Sequence, residues 1–240
     1  MLRYSFFSLI FILNFTILNC DKSVSTSGKK PSSVEFFSKT ADTSVVERGI
    51  DAVPDGNRIR IEWFPNTEEE IERYNIYRSE EDNENFSLIY TTGDTTYEDE
   101  VETLIRYYYY VTAETDEGIT SEPSDTIEYS LLEKATLLVP DDTVYTGVPK
   151  FIWRDTNDPF YHEYIIRVVQ KEPEKPIWIA VKVRESYDSD QEEIVFNVDS
   201  EASVAQLLPD IPYKWRVDIL GDEKKGSESN WRSIIYRGEQ

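Results

Sequence analysis

The chain has 240 residues, 39% of them hydrophobic and 13% aromatic, which is ample for packed cores and too apolar for a disordered chain. Its 47 acidic residues against 25 basic ones leave a net charge of -22, which repels phosphate backbones and anionic lipid surfaces and excludes nucleic acid as a partner. One cysteine, Cys20, rules out an intramolecular disulfide, and one histidine, His162, leaves no basis for a zinc site.

At the N-terminus Arg3 precedes Phe6 to Leu18, an almost unbroken apolar run that suits the core of a signal peptide and is short for a transmembrane helix. The segment Ile17-Leu18-Asn19-Cys20 resembles the lipobox of bacterial lipoproteins. That resemblance implies export through the Sec pathway, removal of residues 1–19, lipid on Cys20 and a place in the bacterial cell envelope, held to a membrane by the lipid anchor. Loss of Arg3 with the signal makes the mature chain one unit more negative, so the body is expected to stand off the surface while its acyl chains hold it there. Residues 20–43, rich in Ser, Thr and Lys, read as a flexible tether. Phe36-Phe37 interrupts it, as a docking segment, an early strand or a sticky spot in a linker.

From Ser44 the pattern changes. Ile59, Ile61 and Trp63 alternate with Arg58, Arg60 and Glu62, and Tyr74 and Ile76 with Asn75 and Tyr77, which is strand periodicity. Pro65-Asn66, Glu81-Asp82-Asn83, Gly93-Asp94 and Asp116-Glu117-Gly118 fall between the strands as turns, at the spacing of an all-β sandwich, and no helical period is sustained. The run Tyr107-Tyr108-Tyr109-Tyr110 cannot bury all four rings in one core, because successive side chains on a strand point to opposite faces.

Tyr107, Tyr109, Val111 and Ala113 share one parity, and Tyr-x-Tyr-x-Val-x-Ala followed by Asp116-Glu117-Gly118 and Ser121 resembles strand F and the F to G turn of a fibronectin type III domain. Val101, Trp63 and Tyr74-Asn75-Ile76-Tyr77 match that family's corner-packing leucine, strand B tryptophan and strand C, so the resemblance covers residues 44–130. It implies that Tyr107 holds the sandwich corner by a hydroxyl bond to upstream backbone, that Tyr109 fills the core and that Tyr108 and Tyr110 face outward.

A second copy, residues 131–238, follows. Phe151-x-Trp153 and Tyr164 repeat the Trp63 strand and Tyr74 ninety residues on, and Leu207-x-Pro209 with Tyr213-x-Trp215-x-Val217 repeats the corner, with Tyr213 in the place of Tyr107. The extra residues of this copy are expected within Gln170 to Ser203, as an added or lengthened hairpin of Trp178 to Val183 and Ile194 to Val198 around an acidic turn. The junction Tyr129 to Lys134 lacks a Gly or Ser run and predicts a semi-rigid rod of two modules. The expected fold is all-β, two tandem immunoglobulin-like (fibronectin type III-like) β-sandwiches after a signal peptide and tether.

Catalytic chemistry finds little support. His162 sits in a loop with no nucleophile elbow elsewhere to join it in a triad. Asp188, Asp190 and Glu192 place hard oxygens at alternate positions but lack the glycine turn and distant glutamate of an EF-hand, so they read as a solvated turn, with calcium the alternative. The chain is therefore expected to be a non-enzyme without cofactor or metal. Its candidate binding surface is Tyr108, Tyr110, Phe160 and Tyr161, where flat rings suit a protein partner or, alternatively, a glycan. The competing reading of outward tyrosines is that they cover cross-strand neighbours, and Trp178 is assigned to the core.

Overall fold

The computed structural model describes residues 29–67, 71–156, 163–184, 189–221 and 224–238. Among them the chain forms sixteen strands and no helix, so none is long and apolar enough to cross a membrane. The first seven strands are β1 (Asp51–Ala52), β2 (Arg58–Glu62), β3 (Ile71–Glu80), β4 (Ser87–Thr92), β5 (Thr96–Glu100), β6 (Arg106–Thr115) and β7 (Ile127–Leu131). They are followed by β8 (Thr136–Val139), β9 (Asp142–Val144), β10 (Lys150–Arg154), β11 (Glu163–Gln170) and β12 (Lys175–Val183). The last four are β13 (Gln191–Val195), β14 (Pro212–Leu220), β15 (Lys225–Glu228) and β16 (Arg232–Tyr236).

Two hydrophobic cores form, each between a small sheet and part of a large one. In the first half, β1, β2 and β5 face the run β4-β3-β6-β7, and Ile59, Ile61 and Trp63 meet Tyr74, Ile76, Tyr107, Tyr109, Val111 and Ala113. In the second, β13, β10 and β8 face β12, β11, β14 and β16, and Phe151 and Trp153 meet Tyr164, Ile166, Trp178, Trp215 and Val217. The ninety-residue repeat survives into side-chain geometry. Trp63 meets Tyr74 edge-on at 5.5 Å and 66°, and Trp153 meets Tyr164 at 5.2 Å and 70°, the orientation that sets a positive ring edge against a negative face.

The paired tyrosines behave alike as well. The hydroxyl of Tyr107 accepts a hydrogen bond from the N–H of Glu102, and that of Tyr213 from the N–H of Leu208, each at 3.1 Å and each five residues upstream. Val101 and Leu207, just before those amides, are buried. A phenol fits there because its ring fills apolar space while its oxygen satisfies an amide that the turn removes from the strand ladder.

Three expectations are corrected. Residues 29–43 do not act as a tether. Val34 is 4% exposed within the first core, Phe36 bridges Trp63, and the N–H groups of Phe37 and Phe64 donate to the carbonyls of Glu62 and Glu35. Phe37 packs on Phe64 at 3.8 Å, with the Arg48 guanidinium 5.0 Å from its ring centre. Three apolar side chains in a polar stretch suffice once the chain just after β2 offers unpaired backbone groups. The added segment of the second half is also not a hairpin: β12 pairs with β11 and β13 with β10, in different sheets. Trp178 of β12 and Phe196, just after β13, instead meet edge-on across the core, 5.3 Å apart.

The third correction concerns the junction. The halves are not joined as a rod through a linker, because one ten-stranded sheet runs through both. β7 pairs in parallel with β15, Ser130 opposite Lys225 and Leu131 opposite Gly226. The N–H groups of Ser130 and Leu132 donate to the carbonyls of Lys224 and Gly226 at 2.9 and 3.0 Å. Leu131 enters the first core and its neighbour Leu132 the second, so no linker residue is left over. Gly226 is required by contact: a Cβ there would lie 2.7 Å from the Tyr129 hydroxyl.

Candidate functional site

The outward parity of β6 carries Tyr108 and Tyr110, both half-buried. Tyr110 stacks on Tyr77 of β3 at 4.6 Å and 17°, and Phe86 packs against the same ring at 4.7 Å. Phe86 is aimed by the turn before β4. There Asp82 accepts from the N–H groups of Glu84 and Asn85 at 3.0 and 3.1 Å, from the Asn85 side chain at 3.0 Å and from Ser79 Oγ at 3.0 Å. These donors, the Asn85 and Glu84 amides foremost, hold the Asp82 carboxyl down at about 2. Leu88 stands opposite Tyr77 and is 54% exposed. The result is a contiguous aromatic and aliphatic patch spanning β3, β4 and β6. Tyr110 is engaged by other rings rather than held open as a flat platform for a sugar.

A second assembly lies at the junction. Arg167 of β11 and Arg216 of β14 are both buried. Arg167 Nε pairs with Asp218 at 2.8 Å, and its two terminal nitrogens reach Glu47 at 2.6 Å, the Ser44 carbonyl at 2.8 Å and the Asp42 carbonyl. Arg216 contacts Asp218 at 2.9 Å, Glu228 at 2.6 Å and Glu47 at 2.7 Å, while its guanidinium lies 5.0 Å from the Trp231 ring centre. Next to this cluster Asp51 accepts from the Tyr129 hydroxyl at 3.1 Å and pairs with Lys39 at 3.2 Å. Residues 39–51 thus form a strap whose charged groups touch both halves.

Burial, reinforced by the Asp218 carboxylate, pushes Glu228 up to about 10, so this side chain keeps its proton at neutral pH. Burial also raises Asp218, with Arg216 and Arg167 pulling it back. Desolvation raises Asp51, opposed by Lys39, and raises the Tyr129 hydroxyl well above its ordinary value. The carboxylates of Glu47, Asp218 and Glu228 lie within 4.8 Å of one another, close enough to share a metal ion. Two guanidiniums already occupy their oxygens and supply the countercharge, so the arrangement is an ion-pair network that locks the halves together.

The acidic turn of the second half is likewise engaged. Glu192 is buried and pairs with Lys182 at 3.5 Å and Arg184 at 3.9 Å, and Asp190 pairs with Arg154 at 3.0 Å. Cys20, Phe160, Tyr161, His162 and Asp188 lie outside the described residues. Comparison with protein-family models and with curated proteins finds no match.

The junction network has no counterpart in the sequence analysis. Lys214, Arg216 and Asp218 alternate with the core residues Tyr213, Trp215 and Val217, the parity of a solvated face. The burial of Arg216 and Asp218 comes from the strap and from β15, which follow no local pattern. The available signal was two arginines and an aspartate on outward positions of the two central strands of one sheet.

Proposed function

We propose that this chain is a non-catalytic lipoprotein of the bacterial cell envelope, with two tandem immunoglobulin-like (fibronectin type III-like) β-sandwich units that bind or assemble with another protein. The signal-like segment and Cys20 support the anchor. The repeated Trp–Tyr pairs and tyrosine corners support the two units. The observation that carries the binding reading is the patch of Tyr77, Phe86, Leu88 and Tyr110, interlocked rings beside an exposed leucine on the outer face of a sheet. Rigid aromatic side chains next to exposed aliphatic ones are the composition of protein hot spots. The glycan alternative is weakened at Tyr110, whose ring is already stacked.

A photoreactive amino acid placed at Leu88 tests this in cells. One discrete protein adduct is expected, lost on Tyr110→Ala and untouched by free sugars. No adduct, or an adduct competed away by saccharide, overturns it. Palmitate labelling of the wild type and its absence in Cys20→Ala tests the anchor, and an unlabelled wild type overturns that part.

A further inference from the structure

Resting on the protein-binding reading above, we propose that the free edge of β4 takes an extended segment of the partner as an added strand, and that this segment carries lysine or arginine. β4 pairs with β3 on one side, and among the described residues no strand lies along the other. The other long edges are guarded. β12 carries Lys175, Pro176 and Lys182, β5 carries Glu98, Asp99 and Glu100, and β13 carries Glu192 and Glu193. Charges and prolines of this kind keep an edge from recruiting another chain. β4, with the sequence Ser-Leu-Ile-Tyr-Thr-Thr, has neither charge nor proline, and Ser87, Leu88, Tyr90 and Thr91 are exposed.

The occupant follows from charge. From Glu80 through Glu100, both included, the sequence holds eight carboxylates and no lysine or arginine. Glu81, Asp82 and Glu84 at one end of β4 and Asp94 at the other are exposed, so an arriving strand meets anionic groups at both of its ends. A second copy of this chain would set two such edges together within a molecule of charge -22, and like charges repel it. A cationic segment gains steering from the same groups, hydrogen bonds from the β4 backbone and apolar contact from Leu88 and the Tyr77–Tyr110–Phe86 rings. Ile89 is a bulge with no residue of β3 opposite it, which bends the edge and suits a short added strand over open-ended stacking.

The probe is the synthetic peptide Lys-Lys-Val-Thr-Val-Thr-Val-Lys-Lys, titrated calorimetrically into the whole mature chain. Binding is expected to weaken about tenfold or more when alternate peptide amides are N-methylated, when Glu replaces Lys, and in the Leu88→Lys protein. Leu88 is exposed, so that variant keeps the wild-type thermal midpoint, which a melt verifies. Absence of peptide binding, or binding indifferent to N-methylation, overturns strand addition. So does a concentration-dependent dimer that Leu88→Lys abolishes, because the edge then serves self-association. A partner adduct still formed at Leu88 while the peptide fails leaves the protein-binding reading standing and removes only this inference.

Discussion

Replacing Arg216 with methionine tests the junction most directly. The substitution keeps much of the apolar stem over Trp231 and removes the charge that contacts Glu47, Asp218 and Glu228 at 2.7, 2.9 and 2.6 Å. Breaking a buried ion pair from one side costs about 3–5 kcal/mol, because the surviving charge stays desolvated. Two features place this case near the lower limit, about 3 kcal/mol. Arg167 Nε still reaches Asp218 at 2.8 Å, and Glu228 already holds its proton at neutral pH. The remaining cost falls chiefly on Asp218, whose carboxyl burial raises above its ordinary value, so it shrinks as acid protonates that group. Denaturant unfolding followed by tryptophan fluorescence at about pH 5 and about pH 8 reads both quantities, with the larger loss at the higher pH. A loss under about 1 kcal/mol that is equal at both pH values would mean that the network is solvated, and the argument for a charge-locked junction would fail.

Glu228→Gln isolates the proton itself. The folded chain holds it up to about 10 and the unfolded chain releases it near 4.5, so stability falls as pH rises through that window. The amide should flatten this slope and leave the variant more stable than wild type at pH 8, and an unchanged slope refutes the assignment. Gly226→Ala pushes a methyl group to 2.7 Å from the Tyr129 hydroxyl and 3.2 Å from the Ile219 carbonyl, and should cost about 1–3 kcal/mol by overpacking. Because Tyr129→Phe removes the clashing oxygen but also the hydroxyl that donates to Asp51, the cost of Gly226→Ala should be smaller in the Tyr129→Phe background than in wild type; an equal cost would place the strain elsewhere. Tyr107→Phe and Tyr213→Phe each leave one amide, of Glu102 or Leu208, without its acceptor, and each should lower the unfolding free energy by about 1–2 kcal/mol. The two losses should add in the double variant, since the residues belong to separate cores, and strong non-additivity would contradict that separation.

Much of this architecture is legible in the chain because strand grammar is local. Alternation at Ile59, Ile61 and Trp63 and at Tyr107, Tyr109 and Val111 marks the inward faces, and those side chains are buried. Tyr108 and Tyr110 fall on the other parity and are half-buried, which their position on a central strand allows. The partners of Tyr110 were not legible, since Tyr77 lies across a strand pairing and Phe86 is delivered by a turn whose shape depends on Asp82.

What the residues determined by themselves was the period of each strand, the ninety-residue repeat and the two tyrosines that accept amides at the corners, because each depends on neighbours within a few positions. Only the tertiary structure decided that residues 29–43 pack instead of hanging free, that β7 and β15 join the halves into one sheet, and that Arg167, Arg216, Asp218 and Glu228 are buried together. Composition reports whether a segment can form a core of its own, not whether it will fill a gap in someone else's. A charged side chain on an outward parity is solvated until another part of the chain covers it, and that covering is set by contacts more than a hundred residues apart, such as Glu47 with Arg216.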